Sequence, residues 1–232
     1  MDYIIPALPL LLEGAAVSLF ITIIGMILGG ILGVFAGLAR LSQVKFIKLL
    51  GTIYVDFFRG TPLFVQIMLI YFGVPGLLNS LNQYWVTNYG EELLASTSMD
   101  PWVAAILSIT LNSGAYIAEI FRGGVQSIEK GQMEAARSLG MTHGQAMRYV
   151  ILPQAFKRVI PPMGNEFIML LKETSLLSVI GFEELARKTQ LEVARTFASF
   201  ELWLTAAFIY LIMTFTFSRL VDMLERRLDT GD

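Results

Sequence analysis

Long stretches without a single charge alternate along this chain with shorter stretches where charges crowd, and that rhythm sets its elements. A bilayer core needs about twenty apolar residues of helix, because backbone groups in lipid must bond within their own segment. Residues 14–39 carry no charge and stop at Arg40; residues 60–90 are also uncharged, with their apolar part at 63–81. Residues 101–118 lie between Asp100 and Glu119, and residues 202–218 between Glu201 and Arg219. Residues 159–180 are apolar apart from Asn165, Glu166, Lys172, Glu173 and a few hydroxyls. The pattern predicts an all-α integral membrane protein, one transmembrane domain over 1–232. Its five transmembrane helices fall at about 14–39, 61–81, 101–121, 159–180 and 202–220.

Basic residues orient the spans, since Lys and Arg gather on the cytoplasmic side of short loops. With five crossings, residues 40–59, 119–158 and the C-terminal tail share one side and hold thirteen of the seventeen Lys and Arg. The other side holds Arg187, Lys188 and Arg195, each with an acid three or four residues earlier: Glu183–Arg187, Glu184–Lys188 and Glu192–Arg195. The N-terminus is therefore expected outside and the C-terminus in the cytoplasm. A cleaved signal peptide would need a basic leader, and the only charges before the first apolar run are Asp2 and Glu13. In span one, Gly25, Gly29, Gly33 and Gly37 recur every fourth residue, a smooth groove for close approach of another helix.

The cytoplasmic loop at about 122–158 is rich in helix signals. One short helix is expected at about 129–139, ending at a left-handed Gly140; a second opens at Thr142, with Gln145 completing a capping box. Pro153 and the Pro161-Pro162 pair are expected to limit the helical run. Composition narrows the chemistry. Cysteine is absent, so disulfides, thiolate nucleophiles and Cys-bound metals are excluded, and a single histidine, His143, excludes sites needing two imidazoles. A net charge of −2 gives no bulk attraction to nucleic acid.

Glu134-Ala135-Ala136, three residues, Gly140, nine residues, then Val150-Ile151-Leu152-Pro153 resembles the EAA loop of ATP-binding-cassette (ABC) importer permeases, with Val150 in place of the usual isoleucine. Arg59-Gly60-Thr61-Pro62, the run from Ser113 to Gly124, and Lys172-Glu173-Thr174-Ser175-Leu176 resemble the polar amino-acid uptake permeases, the histidine, glutamine, glutamate and arginine importers. The resemblance spans about 15–220. It implies the type I ABC importer (MetI-like) fold in a bacterial cytoplasmic (inner) membrane. Glu134, Ala135, Ala136, Gly140, Val150, Leu152 and Pro153 would form a coupling loop on a cytoplasmic ATPase. Implied partners are two copies of that ATPase, a second permease subunit, identical or related, an extracytoplasmic substrate-binding protein and a polar amino-acid substrate. No cofactor is expected in this chain, and ATP and Mg2+ would belong to the ATPase. The absence of Gly-x-x-x-x-Gly-Lys-Ser/Thr agrees with a phosphate site on another polypeptide.

Ionisable groups inside spans are costly, so their faces are informative. At about 100° per residue, Asn165, Glu166, Lys172 and Glu173 share roughly one third of their helix, and Ser108, Asn112, Ser113, Tyr116 and Glu119 form a stripe on span three. Two readings stand. In one, the stripes flank a substrate path: Glu166 meets a cationic group, Lys172 an anionic one, and Asn112, Ser113, Thr174 and Ser175 give neutral hydrogen bonds, with Tyr116 and Glu119 on the same face. In the other, Glu166, Lys172 and Glu119 pair across the bundle and lock the fold. An ATP-independent channel or secondary carrier is the rival function; a common carrier would show an inverted repeat, and five spans do not halve.

Overall fold

The computed structural model describes residues 3–228, and among these every regular element is a helix. The helices are α1 (Ile4–Leu41), α2 (Lys45–Gly60), α3 (Leu63–Met68), α4 (Val74–Tyr89), α5 (Pro101–Gln126), α6 (Lys130–Ser138), α7 (His143–Ala146), α8 (Leu152–Glu173), α9 (Leu185–Thr196) and α10 (Ser199–Leu228). A π-turn at Leu69–Gly73 joins α3 to α4, making one helical stretch from Leu63 to Tyr89. Four stretches are long and apolar enough to cross a membrane: Ile4–Leu41, Leu63–Tyr89, Pro101–Gln126 and Ser199–Arg227. With Lys157, Arg158, Glu166, Lys172 and Glu173 along its length, α8 is more polar.

The expected glycine groove on α1 is where α5 packs. A Cβ on Gly25 would run into Ile109, and one on Gly29 into the Ser113 hydroxyl. On Gly33 it would lie 2.8 Å from the Gly114 carbonyl oxygen, and on Gly37 2.9 Å from that of Ala118. Partner numbers rise by about four as the glycine numbers do, so α1 and α5 run parallel along one seam. Parallel neighbours need a return crossing between them, and only α2 to α4 can supply it.

Opposite numbering marks α8 as antiparallel to its neighbours. Leu170 reaches Gly25 beside Ile109, while Val159 and Ala155 meet Gly124; against α10, Gly164 meets Val221 and Phe167 stacks near Phe217 at 4.6 Å. The expectation that Pro161-Pro162 would end the helix is corrected, because both prolines sit inside α8. Each removes one amide donor, yet the packing of α8 against both α5 and α10 outweighs that local loss. The same correction holds for Pro153, since the chain stays helical from α7 through a π-turn at Met147–Ile151 into α8, with Pro153 at its second position.

At the opposite end of α1, Glu184 is fully buried. Its carboxylate caps α9 by accepting from the amides of Ala186 (2.9 Å) and Arg187 (2.8 Å), and it also accepts from Tyr210 (2.9 Å) and Ser18 (3.3 Å). The predicted Glu184–Lys188 and Glu183–Arg187 pairs are corrected, since Lys188 turns to Glu13 at 2.8 Å and Arg187 to Gln190. The cap outcompetes the helical pair because α9's first amides have no other acceptor, while Lys188 finds Glu13 instead. Glu192–Arg195 does form, at 2.6 Å.

Candidate functional site

Two regions carry the sequence-selected residues: a helical hairpin beyond the α5 end, and the polar faces of α5 and α8. The hairpin turns as its sequence dictates. Gly140 has φ +85°, in the left-handed region where a side chain is strained. The Met141 amide donates to the Ala136 carbonyl (3.2 Å) and that of Gly140 to the Arg137 carbonyl (3.1 Å), a Schellman closure. Arg137 also donates to the Met141 carbonyl at 3.0 Å. The next helix opens with the expected box: Gln145 N to Thr142 Oγ1 at 3.3 Å and Thr142 N to Gln145 Oε1 at 2.8 Å.

Apolar contacts seat this hairpin on the bundle. Phe121, Val125 and Ile128 of the α5 end pack with Ile151 and Ala155, and Met133, Met147, Val150 and Leu152 lean on the cluster. Val150 and Leu152 therefore brace the hairpin from behind. Ala136 is buried against the hairpin's own second arm, whereas Glu134, Ala135, Gly140 and Pro153 face outward, as does His143. Sequence reasoning passed over Leu139, the most prominent residue here: it is 82% exposed at the tip, flanked by Ser138 and Gly140. Its signal was a large aliphatic residue in an otherwise polar turn.

The stripe on α5 is mostly spoken for. Buried Asn112 donates to Gln66 Oε1 at 3.0 Å, and Gln66 Nε2 donates to the carbonyls of Phe58 (2.8 Å) and Thr61 (2.9 Å). This chain of amides stitches α5 to the elbow at Gly60-Thr61-Pro62. Ser113 donates to the Gly25 carbonyl at 3.1 Å and belongs to the α1 seam. Glu119 is ringed by guanidinium groups: Arg40 at 2.8 Å, Arg122 at 2.8 Å and Arg59 at 3.5 Å. Arg40 also reaches Asp56 at 3.4 Å, so one acidic group ties the ends of α1, α2 and α5 together. For Glu119, the fold-locking geometry is the one present.

Along α8 the predicted face divides. Glu166 is buried while Asn165 and Lys172 are exposed, and among the described residues neither Glu166 nor Lys172 enters an ion pair. Thr174 and Ser175 return their hydroxyls to the carbonyls of Leu171 and Lys172, both at 2.7 Å, where α8 tightens into a 3-10 turn at Thr174–Ile180. Arg59 was read as a loop charge and as part of the Arg-Gly-Thr-Pro motif, not as a route residue, yet its guanidinium sits over the Tyr116 ring at 5.4 Å from the centroid. Its side chain is 41% exposed. Among the residues of the two predicted stripes, Glu166, Lys172, Asn165 and Glu173 have no side-chain hydrogen bond or ion pair among the described residues, while half-buried Tyr116 meets an Arg59 that is only partly engaged.

Residues 29–230 match the family described as "binding-protein-dependent transport system inner membrane component". The glutamine transport system permease protein GlnP of Escherichia coli (strain K12) is 42% identical over 223 residues, covering 96% of this chain and 94% of that protein. The arginine transport system permease protein ArtQ of Bacillus subtilis (strain 168) is 36% identical over 229 residues, with 98% and 96% covered. Among solved structures, an amino acid ABC transporter crystallised with histidines superposes with a TM-score of 0.84 at 41% identity, over 97% of this chain and 96% of that one. A methionine ABC transporter captured inward-facing shares the fold, with a TM-score of 0.69 at 21% identity and 96% and 98% covered.

Proposed function

Because the chain belongs to the binding-protein-dependent transport system inner membrane component family, we propose that it is the membrane-spanning permease subunit of an ATP-driven importer of polar amino acids. Relatives of the same length that carry the names of glutamine and arginine permeases support that substrate class. Such a permease is not itself an enzyme, and ATP hydrolysis resides in a partner ATPase that binds ATP and Mg2+. Two copies of this ATPase, a second permease subunit and an extracytoplasmic binding protein complete the machine in a bacterial cytoplasmic membrane.

Five crossings with the N-terminus outside fit the helix directions. Since α8 runs antiparallel to both α5 and α10 and lies beside residues 109–124 of α5, it occupies the same depth and crosses with them. Its charges then face protein or a hydrated path, which is what a transport route needs. Glu166, Lys172, Tyr116 and Arg59 are our route residues, with Glu166 toward the substrate's cationic groups and Arg59 or Lys172 toward its carboxylate. Asn112, Ser113, Glu119, Thr174 and Ser175 hold the walls of that route.

The observation that carries the coupling role is the rigid, outward hairpin with a bare leucine at its tip. Glu134, Ala135, Leu139 and Gly140 present the docking face, and Ala136, Val150, Leu152 and Pro153 keep its shape. ATPase closure would drive this hairpin and rock the spans between inward-facing and outward-facing states. Gly140→Arg is the test. No heavy atom stands within 4 Å of the position, so the variant should assemble in the membrane with only the left-handed strain of about 1–2 kcal/mol. Uptake by reconstituted vesicles should fall at least tenfold while the ATPase still turns over. Undiminished uptake would remove the coupling role from the hairpin.

A further inference from the structure

The helix α2 has three distinct faces: one packs on the bundle, one is apolar and bare, and the charged third is tied to the rest of the chain only at its far end, through Asp56 and Arg59. Taking Lys45 as zero and about 100° per residue, Tyr54, Phe58, Gly51 and Val55 fall between about 180° and 280°. This third packs: Val55 is fully buried with Ala36 and Ala118, and the Tyr54 hydroxyl donates to the Leu111 carbonyl at 2.8 Å. Leu49, Ile53, Phe46, Phe57 and Leu50 fill about 40° to 140°, and each is at least half exposed. Lys48, Arg59, Thr52, Lys45 and Asp56 occupy the remaining third.

A helix with a bare apolar face adjoining two bare lysines is at ease in neither phase alone. In water it would expose five large apolar side chains; in the bilayer core it would desolvate two lysines. It fits where oil meets headgroup. Position agrees, for α2 begins just after α1 ends and Gly51 packs beside Ala39 and Arg40. Charge then selects the headgroup. Asp56 is engaged by Arg40, and Glu119 by three arginines, while Lys45 and Lys48 are exposed and have no acidic partner among the described residues.

From these observations we infer that α2 is an interfacial helix that recruits anionic phospholipid, with Lys45 and Lys48 on the phosphates and the Phe46–Phe57 face in the acyl chains. The lipid sits against the same helix whose far end, through Asp56 and Arg59, belongs to the three-arginine cluster around Glu119. This rests on the membrane topology proposed above, with Arg40 at the cytoplasmic surface.

The test uses the whole importer, permease plus ATPase, in lipid nanodiscs and in vesicles. The chain has no cysteine, so L49C gives a single nitroxide site on it. The label should be relaxed by dissolved oxygen and spared by a water-soluble nickel chelate. Relaxation by nickel would place the face in water, and shielding from both would place it under a protein; either overturns the inference. In the second arm, phosphatidylglycerol retained by wild type and by K45Q/K48Q is compared by native mass spectrometry. At about fivefold per lysine near a charged surface, retention should fall about 25-fold. Equal retention overturns the proposal, as does loss of the ATPase subunit from the variant, which would make α2 a docking face for that partner. Amino-acid uptake is read from the same vesicles; its absence in every lipid would refute the transport function while leaving both lipid results standing.

Discussion

The α1–α5 seam offers a sharp test because two glycines on one helix differ only in what faces them. At Gly33 a new Cβ would lie 2.8 Å from the Gly114 carbonyl oxygen and 2.8 Å from both Cβ and Cγ2 of Ile117. None of these can swing away, since one is backbone and the others belong to a β-branched residue held in a helix. The helices must part locally. At Gly30 nothing lies within 4 Å. Gly→Ala changes helix propensity by about 1 kcal/mol at either site, so that contribution cancels between the two variants. What remains is overpacking, about 1–3 kcal/mol for one inserted carbon in a close-packed contact. At about 1.4 kcal/mol per factor of ten, Gly33→Ala should shift the unfolding equilibrium roughly 5- to 150-fold against Gly30→Ala. Both variants are purified in one mild detergent and their unfolding followed by tryptophan fluorescence and by SDS titration. Equal stability would refute the claim that this seam sets the helix separation.

Glu119→Gln should cost about 3 kcal/mol, because it leaves Arg40, Arg59 and Arg122 facing one another without their shared anion. Arg40→Gln added to it should recover part of the loss in a double-mutant cycle, and strictly additive losses would argue against the cluster. Glu184→Ala strands the Tyr210 hydroxyl and the amides of Ala186 and Arg187, at about 1–3 kcal/mol for each that stays dry. Its thermal midpoint should fall well below that of Glu183→Ala, a neighbour whose side chain is 65% exposed. Glu166→Gln should assemble normally yet lower uptake of cationic amino acids more than of neutral ones. Identical selectivity to wild type would move Glu166 out of the route and into the fold.

How far the sequence reached is clearest at individual residues. The hairpin was legible because its determinants are local: Gly140 supplies the positive φ and Thr142 with Gln145 the box, all within a few residues. The glycine groove was legible because a period of four on an uncharged helix has one physical use. The outcome of the polar stripes was not legible. Periodicity placed Asn112, Ser113 and Glu119 on one face, but it had no means of telling which partner each would find. Gln66, Gly25, Arg40 and Arg59, far away in sequence, decided that, with only Arg122 a near neighbour on the same helix.

Misreadings around Glu184 and along α8 have a single origin. Glu184 lies four residues before Lys188, which predicts a helical ion pair, yet burial beside Ser18 and Tyr210 made its carboxylate worth more as a cap. Pro161-Pro162 predicts a helix end, yet contacts with α5 and α10 carry the helix through. Membrane immersion and the hairpin followed from the sequence alone, because hydropathy and turn chemistry act over one helix or one turn. The parallel seam, the ring around Glu119, the three faces of α2 and the few polar groups left without partners belong to the tertiary structure. They depend on distances between residues that only packing brings together.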